Sequence, residues 1–92
     1  MESDDIRVRV LVSGRVQRVY FRQSTVQAVA GIGVAGWVRN LDDGRVEAVF
    51  EGSPAAVEQA LAYVAHGPEH ARVDAVETVS ETPEGLTGFT ER

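Results

Sequence analysis

Between residues 6 and 89 the spacing of apolar residues switches between the two-residue period of a strand and the period of a helix. The order of these switches constrains the fold more than any other feature. Residues 6–13 largely alternate apolar and polar side chains, which predicts a strand with one buried face. From Phe21 the apolar residues follow helical spacing, and Gly31 and Gly33 are suitable helix terminators. Two further strands are predicted at residues 34–40 and 45–51, because an Asp-Gly hairpin signal separates them.

The second half of the chain predicts another helix and a fourth strand. Ser53 can cap the helix, Pro54 occupies its first turn, and Gly67-Pro68 ends it. Residues 71–80 predict a strand with either a bulge or a shifted boundary, because their valines do not alternate cleanly. Residues 86–89 predict a short edge strand.

The resulting order, βαββαβ, predicts one α+β domain of the ferredoxin-like, split β-α-β class. We expect a single domain over residues 1–92, with an ordered core from about residue 6 to residue 90 and both helices on one face of an antiparallel sheet. The first helix returns the chain, so the first two strands run in the same direction. With the third strand between them, their ends lie at one sheet edge, about 9–10 Å apart.

Composition excludes several classes of function. The chain has 9 basic residues, all arginine, and 14 acidic residues, so its net charge of −5 argues against nucleic acid and anionic membranes as partners. With no cysteine it has no disulfide or thiolate metal site, and we expect a cytoplasmic location. His66 and His70 are separated by Gly67-Pro68, so we expect no metal and no cofactor.

The loop between the first strand and the first helix is the candidate site. Residues 14–22 read Gly-Arg-Val-Gln-Arg-Val-Tyr-Phe-Arg and lead into a helix N-terminus, where free N–H groups favour an anion. Arg22 falls in the first helical turn, which is unfavourable for a cation unless an anion binds there. Charge alone leaves open the alternative that Arg15, Arg18 and Arg22 are merely solvated.

Asn40 is predicted to end the second strand at the sheet edge that it shares with this loop. Taken alone, it is equally well explained as a turn residue before Asp42-Asp43-Gly44. Trp37, three residues earlier, is interpreted as a packing residue.

Together the two segments resemble the acylphosphatase family, whose signature is Gly-x-Val-Gln-Gly-Val-x-Phe-Arg followed by Gly-Trp-Val-x-Asn. Arg18 departs from this signature, because the family has glycine there. Glu91 also departs, because an apolar residue usually stands at its position. The matching positions are Gly14, Val16, Gln17, Val19, Phe21, Arg22, Gly36, Trp37, Val38 and Asn40.

The resemblance implies hydrolysis of an acyl phosphate to a carboxylate and inorganic phosphate, without metal or cofactor. It implies that Arg22 binds the phosphate together with the loop, and that Asn40 orients the attacking water. The loop residues so assigned are Gly14, Arg15, Val16, Gln17, Arg18 and Val19.

We expect a monomer acting on a small acyl phosphate. Two alternatives are a carbamoyl-phosphate-specific relative and a non-catalytic binding or regulatory module. RNA binding is disfavoured, since the outward positions of the first and third strands (Arg7, Arg9, Leu11, Arg45, Glu47 and Val49) include no aromatic residue.

Overall fold

The computed structural model describes residues 4–92 and confirms the predicted order of elements. Two helices pack on a five-stranded sheet in the order β4-β1-β3-β2-β5. The first strand extends two residues further than predicted, and the first helix ends just before the predicted glycines. The elements are β1 (Ile6–Arg15), α1 (Phe21–Val29), β2 (Ala35–Asn40), β3 (Val46–Gly52), α2 (Pro54–His66), β4 (Arg72–Glu81) and β5 (Phe89–Glu91).

The central strand β3 runs antiparallel to both of its neighbours, β1 and β2. These two strands therefore point the same way, as predicted, and the loop after β1 emerges at the edge where β2 ends. Of the two alternatives predicted for the fourth strand, the bulge is present. Ser13 pairs with Ala75 and Gly14 with Val73, which leaves Asp74 as the extra residue of β4.

The fifth strand differs from its predicted position. It lies at Phe89–Glu91 instead of 86–89, and it pairs in parallel with β2, so the sheet is mixed and not wholly antiparallel. The cause is tertiary, because backbone N–H groups of residues 84–86 donate to the carboxylate of Glu51 and hold that segment out of the sheet. The strand then begins where the Gly36 N–H donates to the Gly88 carbonyl at 2.9 Å.

Both helices cover the same face of the sheet and share one apolar core with it. Valines from β1 and β3 pack against the buried positions of α1 and α2. Phe89 of β5 joins this core by stacking on Phe50, with ring centroids 5.4 Å apart. The loop after β1 is fixed by the same packing, because Val16 and Val19 are buried in the cluster. Each buried side chain of this size contributes about 1.5–3 kcal/mol.

The face of the sheet that carries no helix is less exposed to solvent than the sequence pattern predicts. Arg7, Glu47 and Val49 were predicted to point outward, but all three are buried. Arg7 donates from Nη1 to Glu51 at 2.6 Å and from Nε to Glu81 at 2.7 Å. Because each charge meets an opposite charge in adjacent strands, this face can bury arginine and glutamate that would otherwise need water.

Burial alone would lower the pKa of Arg7, but the hydrogen bonds that its guanidinium donates to Glu81 and Glu51 outweigh this effect and raise the pKa. Burial would likewise raise the pKa of Glu51. The backbone N–H of Glu84 and the guanidinium of Arg7 reverse this effect, so the carboxyl has a lowered pKa. The buried pair is therefore held in its charged form.

Candidate active site

The loop after β1 is anchored at both ends. Gly14 has a φ of +124°, and a Cβ there would lie only 2.1 Å from the carbonyl oxygen of Arg72, so this position requires glycine. Further along, Gln17 donates from Nε2 to the carbonyl oxygens of Leu41 at 2.7 Å and Arg45 at 2.9 Å. These contacts tie the loop to the turn that follows Asn40.

Between these anchors the backbone alternates the sign of φ. Arg18 and Tyr20 have φ values of +63° and +61°, whereas the residues before each of them have negative φ. Such alternation turns successive N–H groups toward one side and forms an anion-binding concavity. Within residues 4–92, the N–H groups of residues 17–20 have no hydrogen-bond acceptor. The left-handed backbone also explains why the family signature has glycine where this chain has Arg18.

The N-terminus of α1 adds to this positive region. The side chain of its N-cap residue, Tyr20, makes no capping hydrogen bond, and the first helical turn contains no acidic residue. Arg22 instead occupies that turn, as predicted from the sequence. Its Nη1 donates to the carbonyl oxygen of Arg92 at 2.6 Å. A cation, a helix dipole and unpaired N–H groups thus converge where an anion would bind.

A pocket of about 340 Å³ opens at this point and brings Arg22 and Asn40 together. Asn40 reaches it from the end of β2, where it pairs with Val46 of β3. The lining therefore combines the guanidinium of Arg22, which can donate two parallel hydrogen bonds to oxygen atoms, with the neutral amide of Asn40, which can donate and accept hydrogen bonds. The full lining is Val16, Arg18, Tyr20, Phe21, Arg22, Gln23, Asn40 and Glu91.

Four of the assigned loop residues do not line the pocket. Gly14 and Arg15 are the last residues of β1, the side chain of Gln17 is used for anchoring, and Val19 is buried in the core. Their contribution is to the shape of the loop. Four lining residues had not been assigned to the site from the sequence: Tyr20, Phe21, Gln23 and Glu91.

Tyr20 could have been suspected from the sequence, since an aromatic residue beside Phe21 cannot be buried by the same helix face. Glu91 could not, because its position depends on how β5 pairs.

Trp37 lies on the opposite face from this pocket. The guanidinium groups of Arg39 and Arg92 stand 5.1 and 4.4 Å from its ring centroid. These contacts agree with a packing role. His66 ends α2, and within residues 4–92 no group of three or more histidine, aspartate or glutamate side chains is arranged to hold a metal ion.

A sequence model described as Acylphosphatase matches residues 8–90. The chain belongs to the acylphosphatase family. An acylphosphatase from Gloeobacter violaceus is 55% identical over 84 residues, covering 91% of this chain and 90% of the relative. The matched range includes the loop after β1 and Asn40, so every residue that lines the pocket except Glu91 lies within the part that the family model matches.

Solved acylphosphatase structures show the same fold. The acylphosphatase of Bacillus subtilis is 33% identical with a TM-score of 0.91, covering 95% of this chain and 98% of that one. HypF of T. kodakarensis is 29% identical with a TM-score of 0.81 over 94% of this chain, which spans only 12% of HypF. Family membership makes the chain a hydrolase. No helix among the described residues has the length and apolar character to cross a membrane.

Proposed function

We propose that this chain hydrolyses the carboxyl–phosphate bond of acyl phosphates, with Arg22 as the phosphate ligand and Asn40 as the residue that orients water. The observation that carries the proposal is the presence of both side chains in one pocket at the sheet edge. Family membership supports the activity, and the pocket supports the assignment of roles.

The phosphoryl group is held by charge and by backbone donors. The N–H groups of residues 17–20 have no acceptor among the described residues, and the alternating φ of this segment is typical of an anion-binding concavity. The guanidinium of Arg22 offers two parallel donors to phosphate oxygens. Arg18, also at the pocket, adds a second positive charge. This arrangement stabilises the charge on the phosphoryl oxygens as the bond to the leaving group lengthens.

The attacking water is positioned from the opposite wall. The side-chain amide of Asn40 can accept from a water while donating to a phosphoryl oxygen, and it does not titrate. A phosphate oxygen can take the proton of the water. The leaving group is a carboxylate, which is stable without protonation, so the pocket needs no general acid. Catalysis then consists of positioning and electrostatic stabilisation.

Benzoyl phosphate provides the direct test, because its hydrolysis is followed continuously by absorbance. Catalytic turnover that inorganic phosphate inhibits competitively supports the proposal. Stoichiometric binding without turnover would instead identify a non-catalytic binding module.

The second candidate function is that of a carbamoyl-phosphate-specific relative, since the residues that line the pocket do not by themselves specify the acyl group. A preference for carbamoyl phosphate over benzoyl and acetyl phosphate by more than about tenfold in kcat/KM would favour it. We further propose that the enzyme acts as a cytoplasmic monomer without nucleic-acid partners. One chain supplies every residue of the proposed site, and its net charge is −5.

A further inference from the structure

One acidic side chain lies among the arginines of the pocket. Glu91 is the only carboxylate among the described residues that line it. Glu91 belongs to β5, where it pairs with Val38 of β2. Phe89, two residues earlier, stacks on Phe50 in the core, so the alternation of a strand directs Glu91 to the same, helix-covered side.

The charge of Glu91 is not neutralised by the protein. In the part of the chain that the structure describes, its carboxylate makes no hydrogen bond and no ion pair. Arg22 lies in the same pocket, but it donates to the main-chain carbonyl of Arg92 instead. A negative charge at an anion-binding pocket opposes binding of the phosphoryl group, so phosphate affinity does not explain the presence of Glu91.

The phosphoryl group is assigned to Arg22 and the loop backbone, and it fills only part of the pocket. The acyl group of the substrate must therefore extend along the remaining wall, which includes Glu91 and the exposed ring of Tyr20, 78% accessible. This wall offers an apolar ring and a negative charge. It suits an acyl group that has an apolar surface and carries no negative charge.

We infer that Glu91 is a specificity-determining residue that selects against acyl groups bearing a second carboxylate and favours neutral or cationic ones. This inference rests on the proposed function and names the substrate class of the same site. In a pocket open to solvent, two like charges about 6–8 Å apart repel by an energy that corresponds to about a threefold change in a rate constant.

The test compares three benzoyl phosphates that differ only in the para substituent: hydrogen, carboxylate and trimethylammonium. In the wild type we expect kcat/KM to be highest for the cationic substrate and lowest for the anionic one. Glu91→Gln should raise the kcat/KM ratio of anionic to neutral substrate about threefold and lower the kcat/KM ratio of cationic to neutral substrate. Glu91→Lys should reverse the order, and molar salt should compress the wild-type differences.

Glu77→Gln is the matched control, because it removes the same charge from β4, at the other edge of the sheet. It should leave the three ratios as in the wild type. Ratios that are the same in the wild type and Glu91→Gln would overturn the inference while leaving the proposed function intact. Failure of the wild type to hydrolyse any of the three substrates would overturn the proposed function and this inference with it.

Discussion

The side-chain amide of Gln17 donates to the carbonyl oxygen of Leu41 at 2.7 Å and so joins the two halves of the active site. Gln17 stands in the loop that forms the phosphate-binding concavity, and Leu41 directly follows Asn40. A second bond from the same nitrogen reaches the carbonyl of Arg45 at 2.9 Å. One side chain thereby fixes the distance between the phosphate site and the proposed water site.

Gln17→Ala is therefore expected to lower both the stability of the fold and the rate of catalysis. The loss of both hydrogen bonds costs about 1–3 kcal/mol of stability. The loosened loop should lower kcat at least about tenfold, because small displacements of reacting groups slow reactions strongly. Gln27→Ala, an exposed position on α1, serves as the control for assay and unfolding measurements. A variant with normal kcat would show that the loop keeps its position without this anchor.

Arg22→Lys should weaken phosphate binding and turnover together. An ammonium keeps the charge but loses the planar fork that matches two phosphate oxygens. We expect a loss of at least about 100-fold in kcat/KM and weaker competitive inhibition by inorganic phosphate. Arg15→Lys, in β1 and outside the pocket, should behave as the wild type. Equal phosphate inhibition of wild type and Arg22→Lys would remove Arg22 from the site.

Asn40→Ala should lower kcat by about 10²–10³-fold and leave the inhibition constant of phosphate nearly unchanged. The reason is that the proposed role of Asn40 concerns the water and not the bound anion. Gln23→Ala removes another amide from the same pocket and should cost less than about tenfold. Normal turnover combined with weak phosphate binding in Asn40→Ala would reverse the assigned roles.

Arg18→Gly tests two properties of one position, the strained backbone conformation and the positive charge. Glycine adopts the observed φ of +63° freely, so the substitution should raise the free energy of unfolding by roughly 1 kcal/mol. Loss of the charge should weaken phosphate binding at low salt but not at high salt, with kcat within about tenfold of the wild type.

Arg18→Ala provides the comparison, since it removes the charge and retains the strained backbone. It should weaken phosphate binding as Arg18→Gly does, without the gain in stability. A fall in turnover as large as that of Arg22→Lys would make Arg18 a catalytic ligand.

Acid should destabilise the chain through Glu51. Its pKa is lowered in the fold, so its favourable contribution is complete above the unfolded value of about 4.3 and is lost as pH falls below it. Glu51→Gln should cost about 3 kcal/mol at pH 7, because Arg7 then keeps a buried charge without its closest partner. Urea unfolding at pH 7 and pH 3.5 measures both effects.

The difference between wild type and Glu51→Gln should shrink at the lower pH, while Glu77→Gln should track the wild type throughout. A difference that is the same at both pH values would mean that packing at this position, and not ionisation, stabilises the fold.

Local signals in the sequence determined the order of helices and strands and the place of Arg22 in the first turn of α1. They also determined that the loop after β1 and Asn40 lie at the same edge of the sheet. These follow from hydrophobic period, caps and turn residues, whose effects act within a few residues. The burial of Arg7 and the place of Glu91 in the pocket were decided by tertiary structure alone. Each depends on residues far apart in sequence: Arg7 is buried because Glu51 and Glu81 neutralise it from neighbouring strands, and Glu91 reaches the pocket because β5 pairs with β2. Periodicity assigns a residue to a face of an element, but only the packed partners decide whether that face meets solvent, an opposite charge or a substrate.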